Sequence, residues 1–249
     1  MPYFYFDYTY LVLIPAMIFA LWAQAMVSSS FGKYNKVFTR CGMTGADAAR
    51  LILDANGLRH VRIEQVAGNL TDHFDPRTNV VRLSQSVNSS KGIAAVGVAA
   101  HEAGHAVQYA EGYTPMKIRS AIIPITNIGS KLALPIFIIG LLFSTELAMF
   151  GIILFSLTAV FQAVTLPVEF NASRRAIKAL EGCGRLDGDE IKGARKVLTA
   201  AALTYVAALA SALSQIHRLL HIANRRRDKT TADNGKITCC RLKVFARLF

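Results

Sequence analysis

Hydrophobic and polar positions change their spacing several times along this chain, and each change marks an element. Tyr8 to Val27 is an uncharged apolar run long enough to cross a bilayer, with Trp22 and a cluster of tyrosines near its ends. Between residues 41 and 91 the pattern shortens into that of a small α+β region. Thr44 and Asp47 predict a capping box for a helix that carries Ala48, Leu51, Ile52 and Ala55 on one side and stops at Gly57. Val61 to Val66 alternates as a strand does. Leu70 to Phe74, a turn at Asp75-Pro76-Arg77-Thr78-Asn79 and Val80 to Leu83 predict a hairpin, with Val80 to Leu83 as an open edge.

Val96 to Ala110 is an apolar run of helical length without proline, and Ser89 or Ser90 is placed to cap it. Ala121 to Phe143 is apolar but interrupted by Pro124, Lys131 and Pro135. Its last part, Leu132 to Phe143, amounts to about 18 Å of helix, too short to span a bilayer unaided. Leu147 to Leu166 is a second clean span, so the two predict a helical hairpin that crosses the membrane and returns. Pro167 suits the first turn of a further helix. Val197 to Leu213 is alanine-rich and apolar, and fits either a span or a helix packed into the folded body. Beyond Ile222 the tail is basic, lacks periodicity and is expected to be disordered.

Composition agrees with a membrane protein: 53% of residues are hydrophobic and mean hydropathy is +0.34. The net charge of +12 fits the anionic face of a membrane more economically than nucleic acid, and no nucleic-acid partner is expected. Asp7 and the absence of Lys or Arg before the first run reverse the pattern of a signal peptide, although Ala23-Gln24-Ala25 resembles a cleavage site. Lys33, Lys36 and Arg40 follow that run and Arg174, Arg175, Lys178 and Arg185 follow the hairpin, so both regions are expected in the cytoplasm. Cys41, Cys183, Cys239 and Cys240 have neither ligand nor disulfide spacing and read as reduced thiols.

The chemistry concentrates in His101-Glu102-Ala103-Gly104-His105. On a helix, residues four apart lie one above the other, so both imidazoles face one zinc ion and Glu102 can serve as general base. Gly97 and Gly104 lie on or beside that face, and glycine within a helix costs about 1 kcal/mol relative to alanine, so something must pack closely there. A catalytic site needs a third ligand. The pattern His-Glu-x-x-His-x-x-Gly-x-x-His does not apply, because Gln108 and Glu111 stand where Gly and His would. Glu146 sits in the hairpin tip, and Glu181 and Glu190 in glycine-rich, solvated sequence. Glu169 lies above the small residues Ala172, Ser173 and Ala176 on one helical face, which would let its helix approach the metal helix. A helix-capping glutamate is the alternative for that residue.

His-Glu-Ala-Gly-His-Ala-Val-Gln (101–108), Leu-Pro-Val-Glu-Phe-Asn-Ala-Ser-Arg-Arg-Ala (166–176), Ala-Ala-Ala-Leu-Thr-Tyr-Val-Ala (200–207) and Thr-Asp-His-Phe-Asp-Pro-Arg (71–77) resemble the YugP-like membrane-bound neutral zinc metallopeptidases of bacteria. The Glu169 segment is also similar to a motif of the HtpX and CAAX-protease relatives, whose glutamate is the third zinc ligand. The resemblance runs from the first apolar run to about residue 222, and it implies one catalytic zinc held by His101, His105 and Glu169, with Glu102 as base. Ser173 stands where those relatives carry an acidic residue, which leaves its part in orienting a histidine open.

The fold expected is a mainly α membrane protein with a small α+β zincin-like catalytic domain. Its expected parts are an anchor (1–30), a cytoplasmic region with the metal helix (31–120), a transmembrane hairpin (121–166), a third-ligand helix with the alanine-rich helix (167–222), and a basic tail (223–249). The expected function is hydrolysis of peptide bonds in polypeptides, membrane or unfolded proteins among them, at the cytoplasmic side of a bacterial plasma membrane. Tyr205 or His73 would stabilise the oxyanion, with a packing role as the alternative for each. Two other classes are open: a zinc-dependent scaffold or chaperone that does not cut, which would not need Glu102, and a transporter component. Against the last, Lys131 alone is ionisable within the apolar spans.

Overall fold

The structure, a computed structural model, describes residues 8–245, with side chains to residue 228; the extreme ends of the expected anchor and tail lie outside the described residues. After a short 3-10 turn at Tyr8–Val12 come α1 (Ile14–Tyr34), α2 (Gly45–Ala55), β1 (Arg62–Val66), β2 (His73–Asp75), β3 (Val80–Ser84), α3 (Gln85–Asn88), α4 (Ile93–Ala110), α5 (Thr114–Phe143), α6 (Thr145–Gly182) and α7 (Gly188–Phe245). Among the described residues the protein is mainly helical with one small sheet. Among the described residues, α1, α5, α6 and α7 as far as Asp228 are long and apolar enough to cross a membrane.

The chain divides into two compact units. One is Ile18–Ile122 with Gln162–Ala208. Its core holds Ile52 and Leu53 of α2, Val81 and Leu83 of β3, Val96 and Ala100 of α4, Val168 and Leu180 of α6, and Ala194 and Leu198 of α7. The predicted capping box starts α2: Thr44 Oγ1 accepts from the Asp47 N–H at 3.1 Å, and the Asp47 carboxylate accepts from the Thr44 N–H at 2.9 Å. The Thr44 hydroxyl, which donates to the Asp47 carboxylate at 2.7 Å, together with that N–H holds the Asp47 carboxyl below its usual range. Asn79 takes a left-handed φ of +55° and completes the turn between β2 and β3.

The sheet corrects the expected edge. Its order is β1-β3-β2, with β1 parallel and β2 antiparallel to β3, so Val80 to Leu83 lies in the central strand. That position suits the run, since Val80, Val81 and Leu83 are all fully buried. The open edge beside α4 is β2 instead. Asp72, just before β2, accepts from the backbone N–H of Ser84 at 2.7 Å, and burial pushes its carboxyl above the usual value despite that bond.

Helix boundaries differ from expectation in three further places. The cap of α4 is Gly92, not Ser89 or Ser90; Ser90 Oγ instead accepts from the Gly92 N–H at 3.1 Å. Prolines interrupt nothing: α5 runs unbroken through Pro124 and Pro135, and α6 through Pro167. Each proline removes one backbone hydrogen bond, a loss that long apolar helices tolerate when packing holds the flanking turns. Here Val168, Ala172 and Ala176, just past Pro167, are fully buried. The second apolar span and the Glu169 helix are therefore one element. Finally, α7 continues through most of the tail expected to lack structure. That stretch contains no proline and a single glycine, Gly235, and extending a formed helix avoids the cost of nucleating a new one.

The second unit comprises the chain up to Met17, Ile123–Phe161 and the chain from Leu209. Phe137, Ala148, Ile152, Leu219 and Ala223 form its core. A Cβ on Gly151 would lie 2.6 Å from the Phe137 backbone nitrogen, so α5 and α6 are in backbone contact there. Arg226 Nη2 donates to the Leu142 carbonyl at 3.0 Å, near the C-terminus of α5, which is a favourable place for a cation.

Candidate metal centre

α4 stacks His101 and His105 one turn apart, with ring centroids separated by 4.6 Å. α6 brings Glu169 to them. Its Oε2 lies 3.2 Å from His101 Nε2 and 3.6 Å from His105 Nε2. These three residues form the group of metal-ligating side chains found among the described residues, with one donor atom of each lying within 4.8 Å of the others. Glu169 is 2% exposed and sits in mid-helix, so it is not a helix cap.

Small residues make this approach possible. A Cβ on Gly104 would fall 2.8 Å from the Ala172 carbonyl oxygen, so the Glu169-bearing helix touches the metal helix backbone to backbone. Gly97 does the same more loosely toward α7, its Cβ position lying 3.3 Å from that of Ala194. Gly104→Ala gains helix propensity but must push α6 away from α4. The expected net result is a loss of about 1–3 kcal/mol, as for other overpacked cores. Thermal unfolding of the variant checks this; a melting temperature at or above wild type would contradict it.

Every donor is held from behind. Ser173 Oγ lies 3.1 Å from His101 Nδ1, so this serine does contact the histidine, with a hydroxyl in place of a carboxylate. Gln108 Oε1 lies 3.0 Å from His105 Nδ1. With both Nδ1 atoms engaged, the Nε2 atoms are the ones turned toward Glu169. Arg119 Nη1 lies 3.3 Å from the other carboxylate oxygen, Oε1, which leaves Oε2 to the histidines.

Glu102 lines a cavity of about 140 Å³ together with His101, Glu169 and Tyr205, against an apolar wall of Val98, Leu198 and Ala202. The backbone N–H of Phe74, on edge strand β2, donates to Glu102 Oε2 at 3.0 Å and fixes that carboxylate. Tyr205 is thus brought to the cavity. His73 is not among its lining residues: it is exposed, and its Nδ1 lies 2.8 Å from the Thr71 carbonyl.

The donor set fits zinc. Donors about 2.0–2.2 Å from a tetrahedral ion sit about 3.3–3.6 Å from one another, close to the 3.2 and 3.6 Å found between Glu169 and the imidazoles. Two imidazoles and one carboxylate are also a ligand set of catalytic zinc. The electrostatics agree. Burial opposes charging His105, yet Glu169 and Glu102 together hold its imidazole above the ordinary value. Arg119 faces Glu169, and the carboxylate of Glu102 lines the same cavity as Glu169, so a further positive charge is favoured there.

Gln108 and Arg119 escaped the sequence reading. Gln108 lies three residues after His105, on the same helical face, and that spacing alone could have marked it. Nothing local marks Arg119, whose partner is distant in sequence.

The protein family described as "Putative neutral zinc metallopeptidase" matches residues 9–224 of this chain. A relative from Bacillus subtilis (strain 168), named "Putative membrane protease YugP", is 47% identical over 217 residues, covering 87% of this chain and 96% of the relative. No solved structure matches the chain.

Proposed function

The chain belongs to the family of neutral zinc metallopeptidases, and from that membership we propose that it is a membrane-bound endopeptidase in which His101, His105 and Glu169 hold one catalytic zinc and Glu102 is the general base. One observation carries this reading: the only basic carboxylate needed for the chemistry, Glu102, lines the same cavity as two of the three converging donors. A zinc ion bound there supplies Lewis acidity toward the scissile carbonyl and makes water in the site more acidic.

The chain's own groups do the rest. Glu102, oriented by the Phe74 N–H, takes a proton from the attacking water as its oxygen bonds to the carbonyl carbon. The same carboxyl then gives that proton to the amine as the carbon–nitrogen bond breaks. The Tyr205 hydroxyl, at the cavity wall, donates to the oxygen that gains charge. Val98, Leu198 and Ala202 exclude water from one side of the site. Basic residues after the first span and after the Leu147–Leu166 run support a site at the cytoplasmic face of a multi-pass plasma-membrane protein; membrane or unfolded polypeptides are the substrates of this reading.

The test is cleavage of casein and of an unfolded membrane protein by the detergent-purified chain. Cleavage should stop on chelation and return with stoichiometric zinc. A zinc-loaded protein that cuts neither substrate would instead support the scaffold that binds without cutting.

A further inference from the structure

Gln108 is fully buried, yet it carries two polar atoms that each need a partner. Its contacts form a chain whose direction can be worked out from the far end. Arg175 Nε can only donate, and it lies 2.7 Å from Asn171 Oδ1. The Asn171 atom is therefore the oxygen. That oxygen also accepts from Gln108 Nε2 at 2.9 Å, and the Val168 carbonyl, which can only accept, lies 2.9 Å from the same nitrogen. Two acceptors fix Nε2 as the amide nitrogen. The remaining atom, Oε1, then faces His105 Nδ1 at 3.0 Å, and an oxygen there requires a proton on Nδ1. The outer end of the chain is anchored as well, because Arg175 Nη2 pairs with Glu111 at 2.7 Å and holds that carboxyl below its usual range.

From this chain we infer that Gln108 is a positioning residue that locks His105 in the Nδ1–H tautomer and so keeps the Nε2 lone pair turned toward Glu169. The inference rests on the zinc reading for its consequence, which is metal affinity, but not for the tautomer itself. Val168 and Asn171 lie on the same helix as Glu169, one before it and two after. The amide thus ties the ligand-bearing stretch of α6 to His105 of α4, and one side chain sets both the tautomer and the spacing of two donors. Free rotation of His105 would turn the Nε2 lone pair away from Glu169, and tautomer exchange would leave Nε2 protonated for part of the time and unable to bind a cation.

Two substitutions separate these roles. Gln108→Met keeps the length of the side chain and removes the acceptor; zinc affinity should fall about 10–100-fold, the usual loss when a ligand's outer partner is removed. Gln108→Glu keeps an acceptor for His105 but replaces the donor to Val168 with an oxygen. It should retain near-wild-type zinc affinity while its melting temperature falls. Nitrogen-15 NMR of the zinc-free protein at alkaline pH reads the tautomer directly. Wild type should show Nδ1–H at His105, and the Met variant a mixture. Wild-type zinc affinity in a folded Met variant would overturn the inference, as would a mixed tautomer in the wild type. Equal losses of affinity in both variants, in step with their loss of stability, would overturn it too, since that pattern needs only a packing role. If the wild type bound no zinc, the zinc reading would fall, and the NMR measurement would still decide the tautomer.

Discussion

Glu102→Gln is expected to lower peptide hydrolysis by about 10²–10⁴-fold, the usual contribution of a positioned general base, while the chain stays folded and keeps its zinc. The amide has the size of the carboxylate, and its oxygen can still accept from the Phe74 N–H, which now lies 3.0 Å from Glu102 Oε2. The three donors are untouched by the change, because Glu102 is not among them. What disappears is the capacity to take a proton from water. Turnover and bound zinc must be measured on the same sample. A variant that cuts within a few-fold of wild type would place the base elsewhere, and a variant that loses its metal would make Glu102 part of the metal-holding structure.

Glu169→Gln should have an effect of comparable size by a different route. Its Oε2 stands between the two imidazoles and its Oε1 against Arg119. The substitution keeps the volume but removes the only negative charge among the three donors. Zinc binding should weaken by more than the roughly 10–100-fold that follows loss of an outer partner, because a direct ligand is lost. Hydrolysis should fall with zinc occupancy and recover in part at high zinc concentration. Equilibrium dialysis against a competing chelator gives the affinity. Unchanged affinity would remove Glu169 from the site.

Features carried by neighbours in sequence were legible without a structure. Thr44 and Asp47 are three apart and cap α2 as expected. His101 and His105 are four apart and stack as expected. The small face of Ala172, Ser173 and Ala176, read together with Gly104, already indicated that two helices meet closely. The errors have physical causes. Proline marks a boundary in a water-exposed helix, whereas Pro124, Pro135 and Pro167 lie inside α5 and α6. The apolar run Val80 to Leu83 reads as an edge because its hairpin partner precedes it directly; its parallel pairing with β1 is a contact that no local spacing announces. The groups behind the donors, Arg119 and Asn171, meet partners distant in sequence, Glu169 and Gln108, and each is an ordinary residue until folding places it.

The catalytic site depends on one metal ion held by nitrogen and oxygen alone. The most direct measurement is the zinc content of the purified wild-type chain together with the X-ray absorption spectrum of that zinc. The prediction is one zinc per chain, with two imidazoles and a carboxylate in its inner sphere and no sulfur. A chain that retains no zinc, or a spectrum showing thiolate from cysteines such as Cys41 or Cys183, would contradict the site built from His101, His105 and Glu169.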